Sequence, residues 1–368
     1  MSRTPKSARW FLAVVALAAI LLLLIPVLAR HPQSVETIYT RHLYFGLTGL
    51  LSAASSALPF SLSEISLYGF AISLVAILTH TLKQKLWKSG LKKTALLVAI
   101  IISWFYLGWG YNYFRLPLDE QLGLTEQETE ISSAVFRENL LWCLNSANAH
   151  WRVMPNWSLH ELDEKIEQSY HRVLPDLKLP IPPGKRRPKH LLVPAVLNYT
   201  LTSGIFGPFF HEIHLNSELL PIELPFVLAH EKAHQMGFAR EAEANFLAAL
   251  VCFASADSSV QYSGYFSLSL LGSFLTRASA VAEADSLRQL IRPEVRADFR
   301  VVRQRYQKYM GTISDMSHAT YDAYLRANKI QEGIQNYSGV VELMMRWRAQ
   351  QGLMENRMRP MKPGEQPR

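Results

Sequence analysis

Cysteine is scarce in this chain, with only two among 368 residues. Cys143 and Cys252 stand far apart in apolar, helix-like segments, and neither has the spacing of a zinc finger. The sequence therefore excludes a cysteine-based zinc module. An oxidising compartment would allow the two thiols to pair; the alternative is that both are small buried side chains, as free cysteine often is.

A basic stripe interleaved with aromatic residues is also missing, although the net charge is +8. Nucleic-acid binding usually shows such a stripe, so no nucleic-acid partner is expected. The sequence contains no internal repeat and no low-complexity block. Its length exceeds what one small domain needs, and more than one structural unit is therefore expected.

Long uncharged runs are abundant in the first 113 residues. Three of them can cross a hydrocarbon core of about 30 Å at about 1.5 Å per residue, and the predicted spans are about 10–29, 65–82 and 94–113. A cleaved signal peptide is the rival for the first run, but its apolar region would be only about 7–15 residues long. The stretch at about 43–60, interrupted by Pro59, is predicted to be interfacial or re-entrant.

Lysine and arginine in the short flanking loops predict the orientation. Three basic residues precede the first span and five lysines separate the second from the third, whereas the loop from Arg30 to Glu64 has only Arg30 and Arg41. We therefore expect a multi-pass protein of the bacterial inner membrane with a cytoplasmic N-terminus. The aromatic residues that close the third span are expected at the headgroup level: Trp104, Tyr106, Trp109, Tyr111 and Tyr113.

Residues 114–358 are predicted to form an extracytoplasmic domain, and 359–368 a disordered tail. Several helical periodicities and one segment rich in branched and aromatic residues predict an α+β fold. In that segment FGPFFHEIHLN is a candidate edge strand for pairing with an extended peptide. His211 and His214 would lie on opposite faces of the strand, so we expect solvent-facing side chains rather than a second metal site.

The stretch HEKAHQMGFAREAEANF, from His230 to Phe246, contains the strongest motif. Pro225 favours the start of a helix, and no breaker occurs before Gly237. His230 and His234 are then i and i+4 on one helical face, where two imidazoles can reach one ion. Glu231 is rotated about 100° from His230, so it reaches a water on the metal rather than the metal itself. This is the His-Glu-x-x-His arrangement of zincins.

Catalytic zinc needs a third protein ligand and an open position. Gly237 is expected to end the helix in a left-handed conformation and turn the chain back, which brings Glu241 to the start of the next helix. Glu243 is the rival ligand, but it lies about 200° around the helix from Glu241, so both cannot serve. Asn245 shares the Glu241 face and is placed to hydrogen-bond a ligand.

The run that follows, Ala244 to Ala256, is largely apolar. We expect it to be a helix buried against the histidine-bearing helix, because a dry and rigid environment holds metal ligands in place. It is too short to cross a bilayer, so an intramembrane protease is excluded.

Resemblance to known families points the same way. The segment EAEAN, from Glu241 to Asn245, resembles the Glu-x-x-Ala-Asp/Asn helix of gluzincin metallopeptidases, whose first Glu is the third zinc ligand. The three amino-terminal spans, with TSGIFGPFFHEIHLN, LPFVLAHEKAHQMGFAREAEANF, QYSGY and NYSGVVEL, resemble a bacterial membrane family called domain of unknown function 3810. This resemblance covers most of the chain and implies a zinc-peptidase-like site. The six residues between His234 and Glu241 depart from better-known gluzincins and are closer to compact zincins, which use a histidine there.

The sequence thus predicts a zincin-like domain on a three-helix membrane anchor, acting as a zinc-dependent peptidase on a peptide or protein substrate. His230, His234 and Glu241 would hold Zn²⁺, and Glu231 would be the general base. Zincins often add an oxyanion-stabilising side chain; the candidates, which core packing explains equally well, are Tyr262, Tyr265 and Tyr337. The alternative is a non-catalytic receptor or assembly scaffold that retains a zincin fold. The presence of a potential base weighs against it, because a structural zinc site needs none.

Overall fold

A computed structural model of the chain describes residues 6–124, 133–279, 286–287, 289–328 and 339–358. This part of the chain is mostly helical, with one small three-stranded sheet. The expected α+β class therefore holds only coarsely, because helices dominate and the strands are two to four residues long. The predicted tail, 359–368, lies outside the described residues.

Three helices are long and apolar enough to cross a membrane: α1 (Lys6–Leu28), α3 (Leu62–Gln84) and α4 (Trp87–Gly108). They confirm the three predicted membrane helices by length and composition. The third begins earlier than predicted and ends at Gly108 instead of residue 113. Lysines near its start fit this position, because long basic side chains reach from a helix end toward the polar interface.

The aromatic residues after α4 lie inside the protein. A short 3₁₀ segment, Gly110–Phe114, follows the helix. Trp109, Tyr111 and Tyr113 are buried, and the rings of Trp109 and Tyr113 pack edge-to-face at 5.0 Å. These three therefore contact protein instead of lipid, which hydropathy alone does not distinguish, and their level relative to the bilayer stays a prediction.

The connection between α1 and α3 packs on the domain. It contains a π-helical segment, Val35–Tyr44, and helix α2 (Phe45–Ser56). Tyr44 is fully buried, and its hydroxyl donates to the carbonyl of Gln235 at 2.7 Å. The interfacial position expected for residues 43–60 stays a prediction. What the structure adds is a contact between this connection and the motif-bearing helix.

The remaining helices build the domain around one buried helix. Apart from the short helices Pro32–Ser34 and Leu118–Gln121, they are α5 (Ser133–His150), α6 (Leu159–Asp176), α7 (Ala195–Tyr199), α8 (Leu224–Gln235), α9 (Glu241–Phe253), α10 (Ser258–Ser279), α11 (Pro293–Tyr309), α12 (Thr312–Ala327) and α13 (Gly339–Met358). Helix α9 is buried from Glu241 to Cys252 and packs against α8, α6, α10 and α13. A helix that is apolar on all sides is stable only in such a position. Cys252 and Cys143 are free and buried, as expected for small core side chains.

The sheet has the order β1–β3–β2, with β1 (Pro188–Lys189) parallel and β2 (Gly204–Gly207) antiparallel to β3 (Glu212–Leu215). The segment FGPFFHEIHLN, predicted as one edge strand, contains the end of β2, the turn and β3. Strand β3 is central, and β1 and β2 form the two edges. His211 and His214 are 1% exposed, so the solvent-facing prediction is also wrong. Every residue of β3 is buried, because the protein covers both of its faces.

Candidate metal centre

Helix α8 carries two histidines one turn apart. The ring centroids of His230 and His234 are 4.5 Å apart, with the rings nearly perpendicular. The helix ends at Gln235, and Gly237 has the predicted left-handed conformation, with φ of 87°. The amide of Phe238 then donates to the carbonyl of Ala233 at 3.1 Å. This closure is the usual glycine-dependent helix end, and it reverses the chain so that α9 begins beside the histidines.

Glu241, the first residue of α9, completes a three-residue group. Its Oε2 lies 3.3 Å from Nε2 of His230, and its Oε1 lies 3.6 Å from Nε2 of His234. The ligand atoms of the three side chains all lie within 4.8 Å of one another. Atoms bound about 2 Å from a common zinc ion lie about 3–4 Å apart. The group can therefore hold a metal ion.

Neighbouring residues orient these side chains. Nδ1 of His234 lies 2.8 Å from the carbonyl of Phe238, so Nδ1 donates to that carbonyl and Nε2 faces Glu241 as the ligand atom. The hydroxyl of Tyr321, from α12, donates to Oε1 of Glu241. The indole of Trp109 donates to the carbonyl of His234 at 3.3 Å. One of the two histidines and the carboxylate are thus fixed by hydrogen bonds from outside the motif.

The charges in the group are coupled. Burial by itself would lower the pKa of His234, but the Glu241 carboxylate outweighs burial and raises that pKa to about 9. Burial would likewise raise the pKa of Glu241, yet His234 and His230 hold it well below its ordinary value. Glu241 is therefore ionised in this environment, which is the form of a carboxylate that binds a cation.

Glu231 lies beside the ligand group, with its side chain enclosed. It is 4% exposed, and the backbone N–H of Phe206 in β2 donates to its carboxylate. A Cβ at Gly204 would lie 2.7 Å from Oε1 of Glu231, so only glycine leaves room for the carboxylate there. Burial raises the pKa of Glu231, whereas His230 and His234 lower it by less. A carboxyl with a raised pKa is suited to proton exchange near neutrality.

Glu243, the rival ligand, and Asn245, the predicted supporting amide, are both buried and are not part of the three-residue group. Glu243 is buried, and its Oε1 accepts from the amide of Leu118 at 2.9 Å and from Arg240 at 3.4 Å. The structure thus brings Glu241, not Glu243, to the histidines. Asn245 is 3% exposed, and its Nδ2 has no hydrogen-bond partner in the part of the chain that the structure describes.

The tyrosines considered for oxyanion stabilisation make other contacts. The hydroxyl of Tyr262 donates to Asp298 at 2.6 Å. The ring of Tyr265 stacks on Phe253 with centroids 4.1 Å apart. Tyr337 lies outside the described residues. Core packing, which was the alternative for each of them, accounts for the contacts of Tyr262 and Tyr265.

Sequence reasoning missed Tyr321, which reaches the group from a helix 80 residues away. Its ring stacks with that of Tyr324 at 6.1 Å, and Tyr324 shares a hydrogen bond with Tyr113. The i, i+3 spacing of Tyr321 and Tyr324 shows that they share a helix face. No local pattern shows that this face meets Glu241.

Comparison with known proteins identifies the family. The family described as "Protein of unknown function (DUF3810)" matches residues 39–345. The match covers most of the chain, which therefore belongs to this family, and it includes α3, α4 and the candidate metal centre. Neither the curated proteins nor the solved structures gave a match.

Proposed function

We propose that this DUF3810 family member is a membrane-anchored, zinc-dependent peptidase. The observation that carries the proposal is the convergence of His230, His234 and Glu241, whose ligand atoms lie within 4.8 Å of one another. Two imidazoles and a carboxylate form a donor set used by catalytic zinc, which keeps one position open. The donor chemistry fits, since Nδ1 of His234 is held by the carbonyl of Phe238, which turns Nε2 toward the group, and Glu241 is ionised.

In this proposal His230, His234 and Glu241 hold the ion. Bound zinc supplies Lewis acidity, which polarises a carbonyl and acidifies water. Glu231 accepts a proton from the attacking water on its carboxylate and passes it to the departing amide nitrogen. Tyr321 acts as a positioning residue, because its hydroxyl fixes the carboxylate of Glu241.

Strand β2 is the proposed place for the substrate backbone. The N–H of Phe206 points at Glu231, so the edge of β2 that does not pair with β3 runs along the metal centre. An exposed strand edge binds an extended peptide through main-chain hydrogen bonds. Gly204, which has no side chain, lets the Glu231 carboxylate lie against this edge.

Three variants of one chemical type test the proposal. Wild-type protein should contain about one zinc per chain, and Glu231→Gln should retain it while hydrolysis of a mixed peptide library falls by about 10²–10⁴-fold. Glu241→Gln should weaken zinc binding, because an amide is a poorer ligand than a carboxylate. Glu243→Gln is the matched control from the same helical turn and should keep zinc.

Two results would count against this function. If both His230→Ala and His234→Ala retained zinc, these residues would not form the metal site, because the two ligands left in each variant bind a divalent ion weakly. If the Glu231→Gln protein fully rescued the phenotype of a deletion strain, the protein would act as a non-catalytic scaffold and not as a peptidase.

The proposed location is the extracytoplasmic side of the bacterial inner membrane. Its basis is the group of five lysines around the junction of α3 and α4, from Lys83 to Lys93. A reporter that is active only in the cytoplasm should work when fused after Lys88 and fail when fused after Glu126. The reverse pattern would place the metal centre in the cytoplasm.

A further inference from the structure

The candidate metal centre lies directly against the end of a membrane helix. Trp109 is the first residue after α4. Its indole donates to the carbonyl of His234 at 3.3 Å, and the two ring centroids are 6.5 Å apart. One side chain therefore separates a candidate zinc ligand from the end of the third span.

The turn between β2 and β3 also packs against the spans. The indole of Trp104, inside α4, donates to the carbonyl of Phe209 at 2.8 Å. The ring of Phe209 lies 6.1 Å from that of Phe70, inside α3. Phe206, which donates to Glu231, is only three residues before Phe209, at most about 10 Å of extended chain. The general base is therefore close to the helices that cross the bilayer.

A third contact fixes the domain at the start of α3. The carboxylate of Glu212 accepts from the amide of Ser63 at 2.7 Å. In return Glu64, in the first turn of α3, accepts from the amides of Leu192 at 2.6 Å and Val193 at 3.0 Å. Leu192 and Val193 are 62% and 43% exposed, so apolar side chains project at the level where the span begins. Contacts on α3 and α4 together keep the domain at the bilayer surface.

We infer that the substrate is a membrane-anchored polypeptide, hydrolysed within the first few residues outside the bilayer on the side of the domain. This inference rests on the proposed peptidase function. An extended chain rises about 3.3 Å per residue, so the first few residues that leave the bilayer can reach a site that lies against the end of a span. An anchor in the same bilayer also raises the effective concentration of the substrate without any new contact.

Three probes test the distance dependence in vesicles of phosphatidylethanolamine and phosphatidylglycerol that contain the full-length, zinc-loaded protein. All three contain the same mixed-sequence decapeptide. In the near probe about two residues join it to a synthetic leucine-alanine membrane helix, and in the distant probe about 15 glycine-serine residues do so. In the free probe the decapeptide has no membrane helix. We expect the near probe to be hydrolysed about tenfold faster than either of the others. Glu231→Gln protein is the control for contaminating proteases.

A photo-crosslinking side chain at Ile205 gives a readout that does not depend on hydrolysis. Ile205 lies on β2 and is 45% exposed. In the Glu231→Gln background, we expect crosslinks to the near probe at about ten times the yield of the free or distant probe. This measures the position of the bound chain directly.

The outcomes separate the two proposals. Equal hydrolysis of all three probes, or fastest hydrolysis of the free one, would overturn the membrane-anchored substrate and leave the peptidase standing. Selective crosslinking of the near probe with no hydrolysis by zinc-loaded wild type would overturn the peptidase and leave a membrane-anchored ligand. Neither selective crosslinking nor hydrolysis of any probe would overturn both.

Discussion

Replacing Lys232 by methionine is expected to destabilise the fold by about 3 kcal/mol, although this residue lies between two candidate zinc ligands in sequence. Lys232 has no exposed surface. Its Nζ lies 2.5 Å from Oδ1 of Asp163 and 2.5 Å from Oε1 of Glu167, both on α6. The lysine therefore joins the motif-bearing helix to α6 on the side away from the candidate metal centre.

The magnitude follows from what the substitution leaves behind. Without the lysine, two acidic side chains that are 11% and 22% exposed lose their shared cation. Breaking a buried ion pair costs about 3–5 kcal/mol. The lower end applies because Glu167 keeps two hydrogen bonds from Arg186, each 2.9 Å long, and because both carboxylates retain some contact with water.

Lys165→Met is the matched control. Lys165 is on the same helix as the two acids, and its Nζ lies 3.0 Å from Asp257, with 36% and 24% of the two side chains exposed. Such a pair contributes about 0–1 kcal/mol. In thermal unfolding at pH 7, Lys232→Met should lower Tm by about 6–12 °C and Lys165→Met by at most about 4 °C. Equal shifts would refute the buried-network argument.

The pH dependence of stability gives a second measurement on the same network. Burial by itself would raise the pKa of Glu167, but Lys232 and Arg186 outweigh it and lower that pKa to about 2, against about 4.3 in an unfolded chain. A depressed folded-state pKa stabilises the fold above about pH 4.3, and this contribution is lost as the pH falls toward 2. Wild type should lose more stability across that window than Lys232→Met, whose Glu167 keeps one cation. An equal or larger loss in the variant would contradict this account.

Three further substitutions probe the site. Gly237→Ala should lower Tm and zinc affinity more than Gly123→Ala. Both glycines have a left-handed conformation, but only a Cβ at position 237 would meet neighbouring atoms, at 3.1–3.2 Å. Chelator competition measures the zinc affinity. Gly204→Ala should keep zinc yet slow hydrolysis about 10²-fold by displacing the adjacent Glu231 carboxylate. Tyr321→Phe should weaken zinc binding about 10–100-fold, since it removes a hydrogen bond to the third ligand, and unchanged affinity would exclude a positioning role.

The parts of the site that the sequence predicted are those with local determinants. A histidine pair four residues apart, a helix-ending glycine and a glutamate on the next helix all lie within 12 residues. Helical geometry and the left-handed tolerance of glycine fix their arrangement with little help from the rest of the chain. The grouping of His230, His234 and Glu241 follows from them. The role of this group in catalysis stays a prediction.

Residues that reach the site from far along the chain were not predictable in this way. Tyr321 and Trp109 contact the ligand-bearing residues across 80 and 125 positions, and neither belongs to a motif. The motif itself also left out a structural role: Lys232, one of its two variable positions, is buried and binds two acids of α6. These contacts depend on which helices pack against each other, and the periodicity of one segment does not show this.

The turn between the candidate ligands is supported from the membrane side of the protein. Arg115 binds Glu36 at 2.7 Å, and its guanidinium also donates to the carbonyl of Met236 at 3.4 Å. Tyr44 donates to the carbonyl of Gln235, so both residues before Gly237 are bound by segments that adjoin the spans. The change in hydropathy near residue 113 is therefore not a boundary in packing. The same contacts that attach the domain to its membrane helices fix the turn that brings Glu241 to the histidines, which gives the proposed peptidase a physical reason to retain three spans where one would suffice as an anchor.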